Sequence, residues 1–476
     1  MRVPSEGSYA IRARTRTGYA AGMLLLAACT ATTRLGGPDP DPTHDSDPAS
    51  DSDPTEHLGP DTAEVPEPTY DHLPVLVIDS DGPIADSVKT PGTMSVIEDH
   101  DGTLEDLDTA PRSWEGPIGI EIHGSSSTGY PKLGYELECR DEAGEDTDCA
   151  LAGMPAGSDW VLHAPYSDKS YVRNALAYQL GREVAGDARW EPRTRFVEVI
   201  LDGDYVGIYL LVERVSREPD RLDIPTTTLP DGSVAGGFIV KVDQHRSAGF
   251  DTAVGTPLDW STPKSGAVTA EEAAYLTDWF DQMEAVLGGD GFADPATGYA
   301  AWLDVDAWVD HFLVNEIAHN IDAYRLSAYL WTDGPPGHLL RAGPLWDFDR
   351  AWGNCNYCAA YTAETWIYDS LDQCGYAYQF PFWWQRLRQD PTFEARLSAR
   401  WKELRAGALS DAAIAADIEA FHEELAEAEP RDQARWRTMG TYVDPNYYVG
   451  TTWEDELDWL ASWQAARSAW MDAQLE

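Results

Sequence analysis

The hydrophobic pattern turns from mainly strand-like to mainly helical near Thr269, and that change constrains the fold more than any other feature. Before it, apolar and polar residues alternate, as in Ile118-Gly-Ile-Glu-Ile-His and Tyr135-Glu-Leu-Glu-Cys-Arg. Alternation of period two places one face of a strand against a core and the other against solvent or a cleft. Arg195 to Leu201, Asp202-Gly203-Asp204 and Tyr205 to Leu211 predict a hairpin, because Asp-Gly suits a primed turn. After Thr269 the apolar residues recur at three and four. Helices are predicted over 271–287, 305–320, 381–388, 391–405, 411–428 and 454–475, with an earlier one over 170–180. Runs of strands followed by runs of helices predict an α+β domain over 71–476, strand-rich in 71–265 and helix-rich in 266–476.

The N-terminal residues have a different character. Arg12, Arg14 and Arg16 precede a short apolar run that ends in Leu26-Ala27-Ala28-Cys29. Residues 1–28 are expected to be an export signal, since the run is too short to span a bilayer. The ending resembles a bacterial lipobox, which implies lipidation of Cys29 and a membrane-anchored, extracytoplasmic protein, with the outer membrane or cell surface favoured. Residues 29–70 contain repeated Asp-Ser-Asp-Pro and are expected to form an extended acidic tether. The formal net charge of −48 argues against a nucleic-acid partner. Cys139 and Cys149 flank a polar loop and can bridge in an oxidising compartment. Cys355, Cys358 and Cys374 leave open a bridge to Cys374 with one thiol left over, and structural zinc is weakly supported.

Four constellations have the residue types that phosphate or metal chemistry uses. His319-Asn320-Ile321-Asp322 sits at the end of a predicted helix, where Asp322 could orient an acceptor hydroxyl and Asn320 could assist a metal; helix capping explains the same residues. Trp346-Asp347-Phe348-Asp349 places two carboxylates two residues apart, on one side of the chain if it is extended. Such a pair requires a cation, and Mg²⁺ or a neighbouring arginine would serve. Gly124 to Lys132 offers hydroxyls, including that of Ser126, and one lysine to phosphates, or is a plain hairpin loop. Arg173 near a helix start is a possible anion contact. Glu213, leaving a buried strand, is a possible partner for Lys132.

In their order these segments resemble the CotH kinase family. The resemblance runs from Gly124-Ser125-Ser126-Ser127 and Tyr130-Pro131-Lys132, through Asp168 to Asn174, Phe196 to Glu213 and Asn320-Ile321-Asp322, to Trp346-Asp347-Phe348-Asp349 and the helical tail. It implies an atypical kinase-like fold that uses ATP and Mg²⁺ or Mn²⁺ to phosphorylate serine or threonine on exported proteins. Carried over, Asp322 and Asp347 would be catalytic, and Asp347, Asp349 and Asn320 would hold metal. Lys132, Ser126, Arg173 and Glu213 would bind the nucleotide. Leu133 departs from the family, which often has a second basic residue there. The alternative is a catalytically idle surface-binding or structural lipoprotein on the same fold.

Overall fold

The computed structural model describes residues 72–475, apart from 87, 105–106, 244–248, 335–338 and 371–380. The export signal, Cys29, the tether before residue 72 and Cys374 lie outside the described residues.

Seven strands come first among the larger elements: β1 (Val75–Ser80), β2 (Thr90–Ile97), β3 (Trp114–His123), β4 (Gly134–Cys139), β5 (Asp159–His163), β6 (Thr194–Leu201) and β7 (Asp204–Glu213). Helix α1 (Arg173–Ala185) lies between β5 and β6. The strands close into a barrel in the order β1-β2-β3-β4-β5-β7-β6. Six of the pairings are antiparallel, and the seventh, β1 against β6, is parallel. Alternation has the consequence the sequence predicts. Leu76, Ile78, Met94, Ile118, Ile120, Leu137, Trp160, Leu162, Val199 and Leu211 form one buried cluster. Their neighbours Glu121, Glu136, Glu138, Asp159 and His163 line a cavity outside that cluster. The expected hairpin is β6–β7, with Asp202 and Gly203 both at positive φ as a primed turn requires.

A second, five-stranded sheet has the order β12-β11-β8-β10-β9. It comprises β8 (Phe238–Val242), β9 (Gly249–Asp251), β10 (Pro257–Thr262), β11 (Ala328–Thr332) and β12 (Arg341–Ala342). The remaining helices are α2 (Ala270–Gly288), α3 (Val305–Ala318), α4 (Ile367–Ser370), α5 (Trp383–Leu387), α6 (Pro391–Arg405), α7 (Asp411–Leu425), α8 (Glu429–Trp436) and α9 (Trp453–Gln474). Their starts follow local chemistry. Thr269 and Thr452 make capping boxes with Glu272 and Asp455, Asp390 caps α6 ahead of Pro391, and Ser410 caps α7. The content is therefore mixed α and β, strand-rich first and helical later, with a closed barrel that local pattern did not indicate. The main core is a tryptophan-rich cluster that joins α1, α3, α6, α7 and α9 to β8. No helix among the described residues is long and apolar enough to cross a membrane. Cys139 and Cys149 are bridged. Cys358 is in a disulfide, and Cys355 is a buried free thiol whose pKa burial pushes up to about 12.

Candidate functional site

The outer face of the barrel, the second sheet and the loops after α3 and β12 enclose a cavity of about 1330 Å³. Asp322, Asp347, Asp349, Ser126 and Arg350 all line it. These side chains come from three segments distant in sequence, and the fold brings them together.

The loop carrying Asp347 is held from two sides. From α1, the Asn174 carboxamide oxygen accepts from the Phe348 amide at 2.7 Å, and the Tyr178 hydroxyl accepts from the Asp347 amide at 3.2 Å. From the end of α3, the Asn320 side chain donates to the Asp347 carbonyl at 3.3 Å, and the Ala318 carbonyl accepts from the Trp352 amide at 2.8 Å. Phe348 and Trp352 are fully buried beneath the loop. Asp347 itself has φ 66°, and Tyr324 and Ser327 near Asp322 have φ 70° and 50°. Side chains in the left-handed region cost energy, and such residues gather where a site dictates the backbone. The expectation of an extended strand is thus corrected: no strand follows Ala342 before Asp349. The two carboxyls still come close, since Asp349 is the charge that acts most strongly on Asp347, and both line the same cavity.

That proximity makes the charged form of Asp347 costly. Burial, then Asp349, then Asp322 hold the Asp347 carboxyl well above the usual carboxylate range. Burial also raises Asp322, against the pull of Arg350 and Arg325. Arg325 bonds Asp322 at 2.8 Å and Arg350 approaches it at 3.4 Å. The Ser167 hydroxyl donates to Asp349 at 3.2 Å. Among the described residues no group of three or more His, Cys, Asp or Glu side chains could by itself hold a metal ion. Mg²⁺ commonly takes only one or two carboxylates and completes its shell with water and phosphate oxygens, so the Asp347–Asp349 pair fits a nucleotide-bound ion.

Four sequence-predicted residues sit elsewhere. Lys132 is 2% exposed, and its ammonium is 2.6 Å from Asp432 of α8 and over the rings of Tyr209 and Tyr171. Burial lowers its pKa, with Asp432 opposing. It is not among the cavity-lining residues, and neither is Arg173, which is fully buried against Asp168 and donates to the Ala351 carbonyl at 3.0 Å. Glu213 pairs with Arg193 at 2.7 Å rather than with Lys132. None of these three lines the cavity: Lys132 and Arg173 are held in buried ion pairs, and the buried Glu213 is held by the part-exposed Arg193. Asn320 is buried and engaged with the Asp322 amide and the Asp347 carbonyl, so it shapes the loops and does not line the cavity.

Three cations that line the cavity, Lys89, Arg214 and Lys241, were missed. Lys89 lies within 2.9–3.2 Å of Asp159, Glu136 and Glu138. Burial lowers its pKa, but these carboxylates outweigh burial and the net shift is upward. Arg214 reaches Glu136 at 3.1 Å, and Lys241 reaches Asp243 at 2.7 Å. Lys89 sits just before a strand that contains Pro91 and Gly92, with no motif around it to mark it. The signal available for Lys241 was its place as the single charge in the apolar strand Phe238–Val242.

A family profile described as CotH kinase protein matches residues 120–471, more than half of the chain. The chain belongs to this family. No curated protein matches it. The family boundaries enclose Ser126, Asp322, Asp347, Asp349 and Arg350, all the residues that meet at the acidic end of the cavity.

Proposed function

We propose that this CotH-family protein is a metal-dependent kinase that transfers the terminal phosphoryl group of ATP to serine or threonine on exported proteins. The observation that carries the reading is the convergence of Asp322 with the Asp347–Asp349 pair at one end of a cavity of about 1330 Å³. Asp322 orients the acceptor hydroxyl and receives its proton. Asp347 and Asp349 supply hard oxygens to Mg²⁺ or Mn²⁺, which would neutralise phosphate charge when bound. The cations facing the phosphates are sought among Arg350, Lys241, Arg214 and Lys89, not Lys132 or Arg173. The kinase-like character of the fold and anchoring through lipidated Cys29 belong to the same proposal.

The test is phosphoryl transfer from ATP by the soluble 70–476 fragment, with wild type compared with Asp322→Ala and Asp347→Ala. Metal-dependent incorporation that both substitutions abolish supports the reading. One observation favours the idle alternative: carboxylates lining the cavity outnumber its lysines and arginines by twelve to six. An excess of that size opposes a polyanion unless metal accompanies it. A wild-type protein that neither binds ATP nor incorporates phosphate would shift the conclusion to an idle binding protein. Loss of membrane association in Cys29→Ala, with wild type retained, would test the anchor.

A further inference from the structure

We propose that Arg350 is the group that grips the terminal phosphoryl of the bound nucleotide, so that it separates triphosphate from diphosphate. The inference rests on the kinase reading and gives a phosphate-gripping role to a residue that the sequence offers only as one possible salt-bridge partner of the Asp347–Asp349 pair. Arg350 follows Asp349 directly. Its guanidinium bridges the two halves of the site: Nη2 donates to the Ser126 hydroxyl at 2.8 Å, and Nη1 donates to the Tyr357 hydroxyl at 2.9 Å and approaches Asp322 at 3.4 Å. Its side chain is one-fifth exposed, toward the cavity it lines.

Three of the other five lining lysines and arginines are placed differently. Lys89 and Arg214 are held on the barrel face by Glu136 and Asp159, and Lys241 is held by Asp243. Arg350 alone among these four contacts both the proposed orienting carboxylate and the serine-bearing loop. A guanidinium carries five donors in a planar fork, and Arg350's hydrogen bonds use three of them. The remaining donors suit the equatorial oxygens of a transferring phosphoryl group.

In the step itself, the bond from the γ-phosphorus to its bridging oxygen breaks and the electron pair leaves with ADP. The acceptor oxygen forms the new bond to phosphorus, and its proton passes to Asp322. Arg350 holds the charge on the three equatorial oxygens throughout, which requires it to stand beside Asp322. The structure places it there.

The experiment measures Kd for ATP and for ADP with Mg²⁺ by calorimetry, alongside phosphoryl transfer, in wild type, Arg350→Lys and Arg350→Ala. Thermal melts confirm that each variant folds. Arg350→Ala is expected to weaken ATP about ten- to a hundredfold. It leaves ADP within about twofold, because ADP lacks the gripped group, a difference well below the tenfold that 1.4 kcal/mol represents. Transfer falls about a thousandfold, as when a charge-stabilising arginine is removed, and added guanidine restores part of it. Arg350→Lys keeps the charge without the fork and lies between the two. Equal weakening of ATP and ADP would reduce Arg350 to a structural tie, and unchanged binding of both would remove it from the site; either result overturns this proposal while the kinase reading stands. A wild-type protein that binds neither nucleotide would overturn both.

Discussion

A lysine with almost no exposure is defined by what neutralises it, and Lys132 is neutralised by Asp432, three hundred residues away. Asp432 also accepts from the Tyr171 hydroxyl and the Ile208 amide. Asp432→Ala therefore strands a buried ammonium and is expected to cost about 3–5 kcal/mol in urea unfolding. Lys132→Met should leave the Kd for Mg-ATP unchanged in protein that remains folded; a weakened Kd would return Lys132 to the nucleotide site. Two other groups set opposite pH dependences. Burial pushes the Glu191 carboxyl up to about 7, although it accepts from the Leu345 amide, and burial pushes His311 down to about 3. For Glu191 the folded state holds its proton more tightly than the unfolded chain, so stability is lost as pH rises from about 4.5 to about 7. For His311 the unfolded chain binds the extra proton, so stability is lost as pH falls from about 6.5 toward 3. The two slopes cancel between about 4.5 and 6.5. Glu191→Gln removes one slope: melting temperatures should exceed wild type increasingly above pH 4.5 and by a constant margin above pH 7. A margin independent of pH would mean that Glu191 does not carry this proton. The acidic motifs were legible as a cluster because carboxylates two residues apart at an element end attract notice in any sequence, and burial is what makes them costly here. Lys89, Arg214 and Lys241 were not legible, because whether a cation faces a cavity or a buried carboxylate is decided by distant chain.

Elements with strong local chemistry were legible nearly to the residue. Helix α6 begins where Asp390-Pro391 dictates, and the β6–β7 hairpin turns at Asp202-Gly203. Strand β2 was missed because Pro91 and Gly92 resemble breakers. In the barrel, Gly92 instead allows close approach, since a Cβ there would stand 2.6 Å from the Asp79 carbonyl oxygen. Helix α8 was missed because its short polar sequence, Glu429–Trp436, lacks an apolar stripe; it docks through polar contacts, with Asp432 buried, Arg431 paired to Glu198 and the Trp436 indole donating to the Val206 carbonyl. The loop that follows the Asp347–Asp349 segment makes the analogous approach to α9. Gly353 has φ 69°, and a Cβ would stand 2.6 Å from the Trp463 ring. Trp463 is itself fixed by donating from its indole nitrogen to the Tyr361 carbonyl at 2.9 Å. Gly353→Ala is expected to cost about 1–3 kcal/mol from overpacking and backbone strain. Urea unfolding would show it, and a loss below half a kcal/mol would mean that the loop and α9 separate freely.

At the scale of the whole molecule, neither the barrel closure nor the cavity could be read locally. Both depend on β1 finding β6, and on the barrel's outer acidic face meeting the second sheet and the loop that holds Asp322 and Asp347. The charge was legible, and it has a consequence for the assembled protein. A formal net charge of −48 repels itself most when the chain is compact, so screening should favour the folded state. Sodium chloride raised from about 10 mM, where the screening length is about 30 Å, to about 0.15 M, where it is about 8 Å, should raise the melting temperature by a few degrees. Potassium chloride should match it, because screening depends on ionic strength. Buried pairs such as Lys132–Asp432 are screened far less and should not reverse the trend. Magnesium supplies a separate test. A cation that binds the folded site alone adds stability by mass action, about 2.7 kcal/mol at a hundred times its dissociation constant. At matched ionic strength, magnesium should therefore raise the melting temperature of wild type above sodium, and Asp347→Asn should erase that increment while keeping the general salt response. Equal increments in wild type and Asp347→Asn would place the ion on the diffuse acidic surface and not at the Asp347–Asp349 pair.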